Sequence, residues 1–463
     1  MEINEICDNS AVCGEGKIFV AIKGNRLDGN DYMLDAHTRG ARVFITEKEH
    51  VELSDSIVIT VKNARKTLAV LCARLYGNPE RRMKIIGITG TKGKSTTGFL
   101  ISRILKKFSV DNIFIGTFGI IGELNTQTRN TTPSPPVVFK ALGDAYKKGI
   151  RVALIEVSSQ SLKDFRIYNI PFKVTVFTSL GFDHVGKYEH KTRREYISAK
   201  HTLFTSYGTK IALVNGDDAY SSFISSGAPM TYKCGFCAHN DIIIKDFTET
   251  DFGSSFNIGD THVKSSLRGK FNSINLTLSM MSASLILKKT IGEISPAVSD
   301  ISVDGRFEEY YINFRHIIID YAHTPESFSA VSAIARQLYG GRQLAVFGSV
   351  SDRAYERRAL LAKSAERLFD FSIITGDDLN GEEARGICEE IASHFSRSEN
   401  RMVIPDRRKA IEAALSISNR GDVVLLLGKG HEKSIINNGI KEFFSEKEIV
   451  LGFKDNLQNI KNV

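Results

Sequence analysis

Between residues 87 and 96 the chain reads Gly87-Ile88-Thr89-Gly90-Thr91-Lys92-Gly93-Lys94-Ser95-Thr96, and each residue type suits a polyphosphate. Glycines let backbone N–H groups close around phosphate oxygens, a helix beginning at the end of the loop favours negative charge, and Lys94 can reach terminal phosphates. The Ser95 hydroxyl suits Mg2+. The spacing departs from the common Gly-x-x-x-x-Gly-Lys-Ser pattern, because Ile88 stands where the first glycine belongs. The alternative is a glycine-rich turn of no special use, and the order strand, Gly-Lys-Ser, helix weighs against it. A second spacing, Cys234-x-x-Cys237 with His239 nearby, lacks the second ligand pair of a structural zinc site and reads as a strand and turn.

The elements around the loop set its context. KIIGIT is a short β-rich run, and STTGFLISRILKKF carries helical spacing of its apolar residues. Further β-rich runs follow at VALIEVS, VTVFTSL and IALVN, with intervals long enough for crossover helices, which predicts a mainly parallel sheet covered on both faces. Before the loop, KIFVAIKG and ARVFITEK form a small α/β block. After it, HIIIDYA, QLAVFGS, FSIITGD and DVVLLLG form another doubly wound unit. The expected domains are 1–83, 84–303 and 304–463, in keeping with 463 residues, more than one core usually organises.

Composition narrows the class. A hydrophobic fraction of 42% and a charged fraction of 25% are globular values, and no stretch is long and apolar enough for a membrane span. The acidic N-terminal stretch MEINEICDNS shows no basic, apolar leader, which together with six scattered cysteines predicts a cytoplasmic protein with free thiols. A net charge of +8 without Lys/Arg runs interleaved with aromatics argues against nucleic acid and fits polyanionic small substrates or ordinary solvated faces.

Gly90 to Thr96 resembles the nucleotide loop of the Mur ligases and folylpolyglutamate synthases. Further motifs follow in the order of that family: Asn130-Thr131-Thr132-Pro133, Glu156-Val157-Ser158-Ser159, Phe177-Thr178-Ser179-Leu180 with Asp183-His184, Tyr196 to Lys200, Asp304-Gly305-Arg306, Asp320-Tyr321-Ala322-His323 and Gly428-Lys429-Gly430-His431-Glu432. Ser10 near Phe19 to Gly29 resembles the family's UDP-binding segment. The set is most similar to the MurE type of the Mur ligase family.

That resemblance implies an α/β protein of three domains: a small UDP-sugar-binding domain, a central P-loop-type ATPase domain with a mainly parallel sheet, and a Rossmann-like C-terminal domain that binds the amino acid. It implies an ATP-dependent acid–amino-acid ligase of peptidoglycan precursor synthesis, and so of cell shape and division, that adds an amino acid to UDP-MurNAc-L-Ala-D-Glu through an acyl phosphate. ATP falls to Gly90, Thr91, Lys92, Gly93, Lys94, Ser95, Thr96, Asn272, Asn275 and Arg306. Catalysis falls to Lys94, Glu156, His184 and Lys200, with Ser95, Glu156, His184 and Lys200 around Mg2+. Lys200 matches a lysine that the family carbamylates (N6-carboxylysine); read by itself it is a helix-surface lysine. Read by themselves, Glu156 is a strand-end acid and Asn272 and Asn275 a polar helix start.

The sugar-peptide falls to Ser10, Asn130, Thr131, Thr132, Ser158 and Arg166, though Thr131 and Thr132 also read as turn residues. At Asp164 the chain departs from the family's glutamine, and an acid there would repel an anionic substrate unless turned away. The amino acid falls to Arg353, Asp377, Asp378, Asn380, Gly428 and Glu432. Asn380 stands where members that add diaminopimelate carry an arginine, and the acids Asp377, Asp378 and Glu432 suit a cationic side chain, so L-lysine or another diamino acid is expected. Ser351 and Leu379 replace a family glycine and proline. The alternative reading is a catalytically impaired nucleotide-binding paralogue that acts as a scaffold or regulator. Oligomeric state is not legible.

Overall fold

The computed structural model describes residues 3–24, 27–122, 126, 128, 130–181, 190–250, 252–351, 355–379 and 381–461. His184, Arg353 and Asn380 lie outside the described residues. The chain packs as two compact units, Met1–Thr248 with Ser255–Lys264 and Lys270–Ile301, and Glu249–Ser254 with Ser265–Gly269 and Ser302–Val463.

In the first unit, four parallel strands run in chain order, Glu5–Cys7, Lys17–Val20, Val43–Thr46 and Ile57–Thr60. Helix Ala64–Leu75, capped by the Asn63 side chain, buries Leu68, Ala69 and Cys72 and packs against helix Pro135–Lys147. One apolar core therefore continues from this small sheet into the larger one. There, strand Lys84–Thr89 lies between Val152–Glu156 and Val174–Phe177, all parallel. Asn112–Gly116 extends the sheet on one side, and Ile211–Asn215 and Met230–Gly235 on the other. The three central strands, Lys84–Thr89, Val152–Glu156 and Val174–Phe177, are buried on both faces, as their near-continuous apolar runs require.

The second unit centres on a six-stranded sheet in which Arg315–Asp320, Val423–Leu427, Gln343–Phe347, Phe371–Ile374 and Arg401–Val403 are parallel and Glu308–Ile312 is an antiparallel edge. A separate hairpin pairs Ser434–Asn437 with Ile440–Phe443. Helix Pro325–Tyr339 shows why such sequences start and stop where they do. Thr324 and Ser327 form a reciprocal cap, Pro325 opens the first turn, and Gly340 ends it at φ 66°.

One expectation about the cysteines is corrected. Cys7 and Cys13 are joined as a disulfide across the turn Ser10–Val12, their Cα atoms 6.0 Å apart, because the turn folds the two positions onto each other; Cys72, Cys234, Cys237 and Cys388 are free. Cys234 lies within strand Met230–Gly235, and the turn after the strand is held by Asp217, which accepts from the Phe236 and Cys237 backbone N–H groups. Among the described residues no helix is long and apolar enough to cross a membrane.

Candidate active site

The phosphate loop joins the buried strand Lys84–Thr89 to helix Lys94–Lys107. Its glycines are dictated by geometry. Gly90 has φ 153° and a Cβ there would stand 2.0 Å from Thr178 Oγ1, while Gly93 has φ 84° and a Cβ would stand 2.6 Å from Asn275 Oδ1. Thr91 N–H donates to Ser179 O at 2.7 Å and Lys92 N–H to Ser179 Oγ at 3.1 Å, so Phe177 to Leu180 braces the loop. Lys94 turns back over it, with Nζ donating to Gly90 O at 2.9 Å and Thr91 O at 3.1 Å. Asn272 and Asn275 are buried at the start of helix Lys270–Leu287 and hydrogen-bonded to each other. Ser95 and Thr96 are buried in the first turn behind the loop.

Glu156 ends strand Val152–Glu156 and is fully buried. It accepts from the Ser95 hydroxyl at 3.0 Å, the Thr117 N–H at 2.9 Å and the Thr117 hydroxyl at 3.1 Å. Burial pushes its carboxyl above the ordinary range, and Lys94 and these donors oppose the shift. The packing is close, since a Cβ on Gly116 would stand 2.2 Å from Glu156 Oε1. Hydroxyl and carboxylate oxygens side by side behind a phosphate loop form a hard donor pair that fits Mg2+. Among the described residues no group of three or more His, Cys, Asp and Glu is arranged to hold a metal ion.

Lys200 is no surface lysine. Tyr196, Lys200, Leu203 and Phe204 form the buried stripe of helix Arg193–Ser206, and Lys200 is 1% exposed, with Nζ donating to Gly90 O at 2.9 Å. Tyr196, a residue the sequence reading gave no role, accompanies it. Its hydroxyl lies 2.7 Å from Thr91 Oγ1, and its ring 4.8 Å from the Lys200 ammonium.

The candidate sugar-peptide residues meet beside Glu156. Thr117 Oγ1 lies 3.0 Å from Thr131 Oγ1, and Thr132 Oγ1 donates to Glu156 O at 2.6 Å and accepts from Ser158 N–H at 3.1 Å. Ser158 caps helix Ser159–Lys163. Arg166 Nη1 donates to Thr132 O at 2.9 Å, and Nη2 to Asp164 Oδ2 at 3.0 Å. Asp164 is also 3.2 Å from Arg65, so the acid is neutralised by two guanidiniums rather than presented bare. Asn130 is exposed at the edge of this tract. Ser10 is buried in its short turn, where with Arg39 it holds the Asp35 carboxyl below the usual range. Thr117 and Arg65 carry no local signal that a single sequence exposes.

The second unit holds the remaining candidates. Asp377 and Asp378 follow strand Phe371–Ile374, and Gly428 and Glu432 follow strand Val423–Leu427. Lys429 sits among the acids, 2.6 Å from Glu432, 2.8 Å from Asp378 and 3.7 Å from Asp377, and the sequence reading assigned it no role. Burial works against an ionised Asp377, yet Lys429 and Arg407 hold its carboxyl below the usual range; burial instead raises Glu432. Arg306 stacks over Tyr321 at 4.7 Å, and Tyr321 OH reaches Glu432 at 3.4 Å. The hairpin also grips the acidic loop: Ile436 N–H donates to Asp378 Oδ1 at 2.9 Å, and Leu379 N–H to Ile436 O at 2.7 Å.

Three family models match in series: Mur ligase family, catalytic domain, over residues 2–76; Mur ligase middle domain over 88–283; and Mur ligase, glutamate ligase domain, over 305–430. The UDP-N-acetylmuramoyl-L-alanyl-D-glutamate--2,6-diaminopimelate ligase of Aquifex aeolicus is 35% identical over 454 residues, covering 96% of this chain and 92% of that protein. The enzyme of the same name from Clostridium botulinum is 32% identical over 464 residues, covering 97% and 94%. A solved structure of a ligase of that name superposes with a TM-score of 0.68 at 26% identity, covering 98% of this chain and 95% of that one. The Thermotoga maritima MurF ligase in complex with ADP shares the fold, with a TM-score of 0.68 at 21% identity and 98% of each chain covered.

Proposed function

The chain belongs to the Mur ligase family, and from that premise we propose that it joins a diamino acid to the D-Glu carboxylate of UDP-MurNAc-L-Ala-D-Glu while ATP is cleaved to ADP and phosphate. The observation that carries this reading is the position of Glu156. Its carboxylate is hydrogen-bonded to Ser95 of the phosphate loop and, through Thr117, connected to the Thr131–Thr132 tract. A phosphate donor on the loop and a carboxylate acceptor on the tract would lie on either side of it.

In this reading the substrate carboxylate attacks the γ-phosphate, ADP leaves, and the amine then displaces phosphate from the acyl phosphate. Two anions must approach in the first step, so charge neutralisation supplies most of the rate. Lys94, released from the loop carbonyls, would follow the charge to the γ-phosphate, and the loop amides would hold the β-phosphate. Ser95 and Glu156, with His184, would hold Mg2+, which when bound neutralises phosphate charge. Lys200, if carbamylated, would add an anion there. Asn272, Asn275 and Arg306 would hold the nucleoside end, and Ser10, Asn130, Ser158 and Arg166 the sugar-peptide. The proposed domains 1–83, 84–303 and 304–463 would carry the UDP-sugar-binding segment, the phosphate loop and the amino-acid-binding residues, respectively. Use of ATP and a nucleotide sugar supports a cytoplasmic site for the reaction.

Asn380, in place of an arginine fork, favours L-lysine, and the carboxylates of Asp377, Asp378 and Glu432 outnumber the single ammonium of Lys429 among them. The relatives are named for 2,6-diaminopimelate, which is the competing substrate. The test is competition: equal L-lysine, L-ornithine and meso-diaminopimelate are offered with ATP, Mg2+ and UDP-MurNAc-L-Ala-D-Glu, and the products are weighed by mass spectrometry. A dominant lysine product supports the electrostatic argument. A dominant diaminopimelate product rejects it and leaves the ligase reading standing. The scaffold alternative finds no support in the two relatives described above, both named as ligases.

A further inference from the structure

Arg65, near the start of helix Ala64–Leu75, sends its guanidinium in two directions. Nη2 donates to Lys23 O at 2.9 Å, and Nη1 stands 3.2 Å from Asp164 Oδ1. Asp164 Oδ2 accepts from Arg166, Arg166 donates to Thr132 O, and Thr132 donates to Glu156 O, at 3.0, 2.9 and 2.6 Å. An unbroken series of polar contacts therefore runs from the segment Phe19 to Gly29 to the strand end that carries Glu156. The side chains of Arg65, Asp164 and Arg166 are 24%, 12% and 21% exposed, so the series is shielded enough for its charges to matter.

The turn that carries Asp164 and Arg166 is also held in an unusual backbone state. Phe165 between them has φ 55°, a conformation that a bulky residue keeps only when its surroundings impose it. Lys66, next to Arg65, lies 4.7 Å from the Phe165 ring and 5.3 Å from the Tyr168 ring. Two consecutive residues of one helix thus grip both the acid and the strained residue beside it. Asp8, directly after strand Glu5–Cys7, faces Ser134, Arg166 and Arg65, so both arginines lie between acids on two elements.

We propose that Arg65 and Asp164 are positioning residues: they fix the guanidinium of Arg166 toward an anionic sugar-peptide and tie the uridine-binding segment to the strand end where the substrate carboxylate reacts. The proposal rests on the function proposed above. It accounts for an acid at position 164, because Asp164 acts as an internal counter-ion and not as a ligand of the anion. A fork that bonds a carbonyl and a carboxylate at once needs arginine, since a lysine ammonium cannot span both with fixed geometry.

The experiment varies each substrate in turn with full-length Arg65→Met, Asp164→Asn and the double variant, and measures calorimetric binding of UDP-MurNAc-L-Ala-D-Glu without ATP. The expected result is a rise of about ten-fold in KM and Kd for the UDP-sugar peptide. KM for ATP and for the amino acid should stay within about two-fold, and the double variant should be no worse than the worse single one, as coupling requires. Should either variant fail to fold, Arg65→Lys, which keeps the charge and loses the fork, gives the same selective readout at about three-fold. Unchanged KM and Kd, or an equal rise for all three substrates, overturns the inference while wild-type turnover leaves the proposed function standing. Wild-type protein that neither binds nor turns over the UDP-sugar peptide overturns both.

Discussion

At the scale of single residues, the site depends on charges held where water cannot screen them. Lys94 is a cation of the phosphate loop itself, with Nζ 2.9 Å from Gly90 O, and Lys94→Met is expected to lower kcat by about two to three orders of magnitude in a phosphate-release assay. His431 gives a pH signature. Burial, with Arg306 and Lys429 beside it, pushes its imidazole down to about 3. The unfolded chain, near the ordinary value of about 6.5, then binds the extra proton, so this stability is complete above that value and is lost as pH falls from about 6.5 to about 3. The slope is about 1.4 kcal/mol per pH unit, and denaturant titrations of His431→Gln across this range should show it flattened. Lys200 illustrates what the sequence left hidden. Its spacing with Tyr196, Leu203 and Phe204 is that of a helix face, but only the fold shows that this face turns inward.

At the scale of elements, most strands were legible because buried parallel strands are near-continuous apolar runs, as in KIIGIT and VALIEVS. Neighbours across the sheet were not. The register pairing Ile115 with Ile155 is what brings Thr117 beside Glu156, and no local pattern records it. The phosphate loop leads to a sharp expectation. Gly93→Ala adds a methyl at φ 84° against Asn275 Oδ1, and should abolish detectable nucleotide binding in calorimetry while the chain still folds. The acidic loop leads to another. Leu379→Pro removes the N–H that donates to Ile436 O and loosens the isolated bridge to Asn437 beside the Ile436 N–H that holds Asp378, so KM for the amino acid should rise about ten-fold with KM for ATP unchanged.

At the scale of the whole molecule, the three sequence blocks and three family models follow one another along the chain, yet the chain packs as two units. The segments 249–254 and 265–269 join the second unit because Arg268, buried there, pairs with Glu309 and donates to Thr250 O at 2.7 Å. Such pairings between residues about forty positions apart leave no trace in hydropathy. The central claim is that this assembly spends ATP only to make a peptide bond. It is tested most directly by phosphate release from ATP and Mg2+, with UDP-MurNAc-L-Ala-D-Glu and the diamino acid supplied together or omitted singly. Fast release with both, and little without either, is the expected result; release indifferent to the UDP-sugar peptide, or none from folded protein that binds ATP, would contradict it.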